Sequence, residues 1–152
     1  MRPLATLALL TALAPALASA EVLLERVQAS GYTLEEQSFA ARCTIEDTGQ
    51  VEIEYRAGSG LLSHRAQQMQ ISLATLRASI AVAYKGELVA VEPFPVDGPT
   101  RRYRAFRKMN DGRLLEVLLW EEDGNSGRKQ TNTSPAATRL KRFIDLNCGP
   151  EN

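Results

Sequence analysis

Two segments of this chain read alike, and that likeness constrains the fold more than any other feature. The first is CTIEDTGQVEIEYRAGSG, closed by QISLATLRASIAVA. The second is FRKMNDGRLLEVLLWEEDG, closed by TSPAATRLKRFIDLN. Gly49 aligns with Gly112, and Val51, Ile53 and Tyr55 fall on Leu114, Glu116 and Leu118. One extra residue later, Leu76 and Ile80 fall on Leu140 and Ile144. Each copy predicts a strand, a glycine turn, a strand, a polar loop and a capped helix. The expected fold class is α+β: two ββα-like halves, residues 40–86 and 101–149, facing each other across a shared core. Two copies are too few for a solenoid.

In EDTGQ, Gly49 stands where a three-residue hairpin loop wants a left-handed residue. That register sets Ile45 opposite Val51, Cys43 opposite Ile53 and Ala41 opposite Tyr55. One face is then apolar, while Thr44, Glu46, Glu52 and Glu54 share the other, as a half-buried antiparallel sheet requires. For the second hairpin, a two-residue Asp111-Gly112 loop pairs Arg107 with Glu116, Arg101 with Glu122 and Tyr103 with Trp120, favourable cross-strand neighbours. The three-residue register of the first copy remains open there. LLEVLLW, residues 114–120, is apolar on both faces and predicts an interior strand covered on both sides.

Ser72 is positioned to cap a helix striped by Leu73, Leu76, Ile80 and Ala83. Ser134 caps a second, with Pro135 at its first position, where a missing N–H costs nothing. Ala136, Leu140, Phe143, Ile144 and Asn147 follow at helical spacing, and Gly149-Pro150 stops the helix after Cys148. VEPFPVDGPT, residues 91–100, reads as a stiff linker between the halves. EVLLERVQAS, before the first hairpin, favours a strand.

The amino terminus has the parts of a cleavable export leader. Arg2 is the only charge before Glu21, Leu4–Leu17 is an apolar run, and Ala18-Ser19-Ala20 is a small-x-small triplet. The run is short of the roughly 20 apolar residues that cross a bilayer. Cleavage is expected after Ala20, leaving one mature domain over residues 21–152 in the periplasm or outside the cell, with no membrane insertion. Loss of Arg2 brings the 18 basic side chains to 17, against 18 acidic ones. A surface so balanced has no electrostatic reason to seek nucleic acid. In an oxidising compartment the two cysteines, Cys43 and Cys148, are expected to pair and tie the first hairpin to the last helix.

Reactive constellations are poorly supported. His64, the sole histidine, sits in GSGLLSHRAQQ near Ser63 and Ser59, but no G-x-S-x-G pattern accompanies it. EEDGNSG, residues 121–127, carries oxygen ligands yet fails calcium-loop spacing, because Gly127 stands where the third ligand belongs. Glu52 and Glu54 share a strand face, as any solvated pair does. RRYRAFRK, residues 101–108, interleaves cations with aromatics, but Glu116, Glu121 and Glu122 on the facing strand neutralise it. NTS, residues 132–134, matches a glycosylation acceptor and equally a helix-capping segment. Catalytic, cofactor and metal residues are therefore expected to be none.

The order of a strand, SGY, a hairpin with a turn glycine and a Ser-capped helix loosely resembles small bacterial ββα proteins. Some of those, such as the emfourin-type metalloprotease inhibitors, block enzymes. The resemblance covers about half of the chain, rests on spacing, and carries over no functional residue. The expectation is a protein-binding module without catalysis, an inhibitor or envelope accessory protein, whose partner is another envelope or secreted protein. Its contact surface would be loops at residues 56–64 or 121–133. The alternative is a small-ligand binder with a pocket between the halves lined by Tyr55, Tyr103 and Trp120. A hydrolase using His64 or surface carboxylates is the third reading.

Overall fold

A computed structural model describes residues 20–31, 38–91 and 96–149. The leader therefore lies, apart from Ala20, outside the described residues, as do positions 92–95 of the linker. Over the described residues the fold is one eight-stranded antiparallel sheet with two helices and one disulfide. In chain order the elements are β1 (Val22–Ala29), β2 (Phe39–Glu46), β3 (Gln50–Ala57), β4 (Gly60–Gln68), α1 (Leu73–Ala83), β5 (Leu88–Ala90), β6 (Thr100–Lys108), β7 (Leu114–Asp123), β8 (Arg128–Asn132) and α2 (Pro135–Cys148). Across the sheet the order is β4-β3-β2-β1-β6-β7-β8-β5.

This corrects the expectation of two ββα-like halves facing each other across a core. The segment preceding the first hairpin is a strand, β1, and it bonds β2 on one side and β6 on the other. The two hairpins are thus joined edge to edge in one sheet. The polar loop assigned to each copy contains a further strand, β4 or β8. Both helices pack over one face. There Leu24, Cys43, Ile45, Val51, Ile53, Tyr103, Ala105, Val117 and Leu119 meet Leu76, Ile80 and Ala83 of α1 and Ala136, Leu140 and Ile144 of α2.

The first hairpin has the expected register, Ile45 opposite Val51 and Cys43 opposite Ile53. The second combines both readings. Next to the turn it follows the three-residue register, with Ala105 opposite Val117 and Lys108 opposite Leu114. A bulge between Tyr103 and Arg104 then absorbs Leu119, and beyond it Tyr103 meets Trp120 and Arg101 meets Glu122. Arg107 consequently faces Leu115 rather than Glu116. Gly49 (φ 84°) and Gly112 (φ 83°) hold the left-handed position of the two loops. Strand β7 is interior as expected, but the helices cover only one of its faces, so Leu118 is half-buried beside Arg104 and Leu114 is exposed.

The Ser134 hydroxyl accepts from the Ala136 N–H at 3.2 Å, and Pro135 opens α2. Ser72 stands at the start of α1, but its hydroxyl meets Thr75 Oγ1 at 2.9 Å instead of capping the backbone. Asn132 is buried: its amide donates to the Ala83 and Leu118 carbonyls, and its oxygen accepts from the Ser134 N–H. The glycosylation triplet is thereby absorbed into the junction of β7, α1 and α2.

Cys43 and Cys148 are bonded, with 5.9 Å between their α-carbons and 105 residues between them in sequence. A loop of that length constrains the unfolded chain by about 4–5 kcal/mol in the chain-entropy account. Cys43→Ser with Cys148→Ser is expected to lower unfolding free energy by roughly that amount in urea titrations. An unchanged midpoint would show that core packing alone holds α2 on the sheet.

Candidate partner-binding surface

The face away from the helices is built from charge. Glu25 of β1 is only 2% exposed. Arg42 Nε donates to its Oε1 at 2.7 Å from β2, and Arg104 grips its Oε2 from β6. Arg104 continues to Glu116 at 3.0 Å. Glu121, equally buried, accepts from Arg102 Nε at 2.6 Å and pairs with Arg128 at 3.0 Å. The basic stretch 101–108 is therefore consumed largely by cross-strand ion pairs. Glu52 accepts from Gln50 at 2.7 Å and Glu54 pairs with Arg56 at 3.6 Å, so this carboxylate pair is engaged locally.

On the helix face, Arg26 reaches under the end of α2. Its guanidinium donates to the Gly149 carbonyl at 3.1 Å and to the Cys148 carbonyl at 3.4 Å, where a cation also suits the helix dipole. Asp145 gathers the Tyr103 hydroxyl at 2.7 Å and Lys141 at 3.0 Å. Tyr103 is fully buried and Trp120 packs edge-on to it at 5.6 Å, with Lys141 above both rings. Tyr55 lies on β3, two strands from β1 and three from β6, against Phe39. The three aromatics expected to line one pocket are thus split between two clusters. Space between α1 and α2 does exist elsewhere: a cleft of about 310 Å³ whose apolar lining is Ile71, Leu76, Leu140 and Phe143, with Arg139 among its polar residues.

The candidate loops fare differently. Residues 121–133 form the end of β7, a tight turn and β8, with Glu121, Glu122 and Gly124 buried. A Cβ on Gly124 would meet the Gly98 carbonyl at 1.7 Å, which explains glycine there. In the turn, Asp123 accepts from Ser126 Oγ at 2.6 Å, the Asn125 N–H at 3.1 Å and Thr100 Oγ1 at 3.4 Å. The Ser126 hydroxyl, opposed by partial burial and helped by Asn125, Arg128 and Thr100, holds this carboxyl below its ordinary range. The segment considered for calcium is therefore a self-satisfied turn.

Residues 56–64 are the tip of the β3–β4 hairpin, not a loop. Gly58 (φ 54°) takes the first central position of its two-residue turn. A bulge opposite Tyr55 and Arg56 inserts Leu62 into β4. Leu61 and Leu62 are 54% and 66% exposed. His64 is exposed and lies opposite Glu54; Ser63, its neighbour, projects to the other face, and Ser59 is in the turn. The structure does not bring these three together. Strand β4 is nonetheless anchored: Gln67 donates to the Asn147 carbonyl at 2.9 Å and Gln68 to the Thr48 carbonyl at 2.7 Å. Among the described residues no strand pairs with its outer side.

Also among the described residues, no group of three His, Cys, Asp or Glu side chains is placed to hold a metal ion, and no helix is long and apolar enough to cross a membrane. Comparison with protein-family models, curated proteins and solved structures finds no match.

Sequence reasoning missed Glu25 and Arg26. The available signal was two adjacent charges set between Leu23-Leu24 and Val27 inside a strand. Removing the Glu25 carboxylate leaves Arg104 facing a poorly solvated site. Because Arg42 is solvent-screened, Glu25→Ala is expected to destabilise the fold by about 2–4 kcal/mol. Chemical denaturation checks this; a loss under about half a kcal/mol would mean that water replaces the carboxylate.

Proposed function

We propose that this chain is an exported protein-binding module, an inhibitor or envelope accessory protein acting without catalysis, and that it docks its partner along β4. The observation carrying this reading is the open edge. Eight of the nine β4 residues are exposed, and two adjacent leucines stand at its hairpin end. An unpaired edge offers backbone donors and acceptors to an incoming extended segment, with side-chain pockets adding selectivity. The opposite edge, β5, also exposes apolar side chains, Leu88 and Val89, but at three residues it offers far fewer backbone groups. The disulfide is compatible with an oxidising, exported environment. A cross-linked body also lowers the entropy cost of presenting the edge.

The test is capture on immobilised chain 21–152 from envelope and secreted fractions, followed by titration of the purified partner. Leu61→Lys with Leu62→Lys is expected to leave stability within about half a kcal/mol, as surface changes do. The same pair should weaken partner binding on the order of ten-fold or more, as loss of an apolar anchor does. Recovery of no stoichiometric partner, or a partner indifferent to these substitutions, overturns the proposal.

A second reading, a small-ligand binder, is favoured by the cleft between α1 and α2. Its volume is at the lower end of ligand pockets, and its lining is apolar with few polar groups. Thermal-shift screening against envelope metabolites is expected to raise the melting midpoint for an apolar anion, and Thr75→Trp, at the exposed rim of the cleft, to abolish that rise. A midpoint that no metabolite moves removes this reading.

A further inference from the structure

We infer that cleavage after Ala20 does more than release the leader: it creates a charged group already seated against a carboxylate of the fold. The inference rests on the reading of residues 1–20 as an export leader. The Glu21 backbone N–H donates to Asp47 Oδ1 at 3.0 Å, and the Asp47 N–H returns a bond to the Glu21 carbonyl at 2.9 Å. This doubly bonded pair stands just ahead of β1, where the chain meets the turn after β2. Ala20, immediately outside, is exposed.

Hydrolysis of the Ala20–Glu21 peptide bond consumes one water. The acyl carbon of Ala20 gains the oxygen and leaves as a carboxylate; the Glu21 nitrogen gains the protons and becomes an α-ammonium. The nitrogen bonded to Asp47 thus changes from a neutral amide with one donor to a cation with three. Its bond to Asp47, already made to an ionised acceptor, becomes an ion pair in which both partners are charged.

The corner already holds cations on both carboxylates, but it also keeps spare acceptor capacity. Asp47 Oδ2 lies 3.7 Å from Arg77 of α1, and Glu21 Oε2 lies 3.2 Å from Lys108 of β6. The other carboxylate oxygen, Glu21 Oε1, is buried and without a hydrogen-bond partner among the described residues. Cleavage adds two donors at the same residue. Glu46, paired with Val22, and Arg107, lining the adjacent cavity of about 380 Å³, complete the charged groups facing this corner. The mature terminus would join β1, the β2–β3 turn, α1 and β6 through Asp47, Arg77 and Lys108.

The test compares chain 21–152 bearing a free Glu21 amine with the same chain N-acetylated, each with Asp47 intact and again with the substitution Asp47→Asn. At pH 7 the free amine is expected to raise the folding constant roughly three- to five-fold over the acetylated chain, and the advantage to vanish with Asp47→Asn. A chain that retains Ser19 and Ala20 should match the acetylated one, which keeps the test alive if Asp47→Asn fails to fold. The advantage needs a protonated amine and an ionised Asp47, so it is expected at pH 7 and is lost at strongly alkaline pH, where the amine is neutral, and at strongly acid pH, where the carboxylate is protonated. The acetylated chain carries the same Lys108, Arg77, Arg107, Glu46 and Glu21 side chains, so the difference isolates the amine. Equal stability of free and blocked chains at pH 7 overturns the ion pair. An exported protein whose intact mass places its terminus elsewhere than Glu21 overturns the cleavage reading instead.

Discussion

The structure depends on β1 bonding a strand on each side. Without it, the three-stranded β2–β3–β4 group and the four-stranded β6–β7–β8–β5 group would be separate sheets. With it, the two share a ladder from Leu24, opposite both Ile45 and Ala105, to Ala29, opposite both Ala40 and Thr100. The side chains of β1 then serve both faces. Leu24 and Arg26 enter the helix-covered core, and Glu25 gathers arginines from the strands on either side. The disulfide repeats this connection at another level, bonding β2 to the end of α2.

From this centre the character of the sheet changes outward. One face is apolar and covered by helices; the other is a lattice of cross-strand ion pairs with nearly balanced charge. The two edges also differ. At one, β5 is short; at the other, β4 is long, exposed and anchored through Gln67 and Gln68. Edges like β4 are commonly blunted by proline or lysine, and β4 contains neither. Its polar residues keep it soluble, while Leu61 and Leu62 concentrate apolar exposure at one end. This asymmetry is the physical basis for reading the molecule as a scaffold that presents an edge.

Local structure is largely legible in the sequence. Alternation in CTIE and VEIEY sets the first register, Ser134-Pro135 sets the start of α2, and the paired cysteines set the long-range tie. What is not legible depends on neighbours distant in the chain. EVLLERVQA shows a strand but not that it has two partners, because pairing across β1 involves residues 11 to 24 positions away on one side and 71 to 81 on the other. GLLSHRAQQ lacks the apolar alternation that marks a half-buried strand, since as an edge strand it buries little on either face. It therefore reads as a loop. The Leu119 bulge is hidden because LLW is apolar at every position, so no alternation signals the extra residue. The aromatic pocket fails for a related reason: Tyr103 and Trp120 are adjacent through register, whereas β2 and β1 separate the strand of Tyr55 from that of Tyr103.

Amide hydrogen exchange resolved by residue tests the central role of β1 most directly. If one sheet is organised about this strand, the bonded amides of Leu24–Gln28 exchange only through global unfolding, at the same free energy as the helix-facing amides of β2 and β6. Outward-facing amides of β4 exchange orders of magnitude faster. Exchange of β1 by local opening, or separate unfolding free energies for the β2–β4 and β6–β8 groups, would contradict the account.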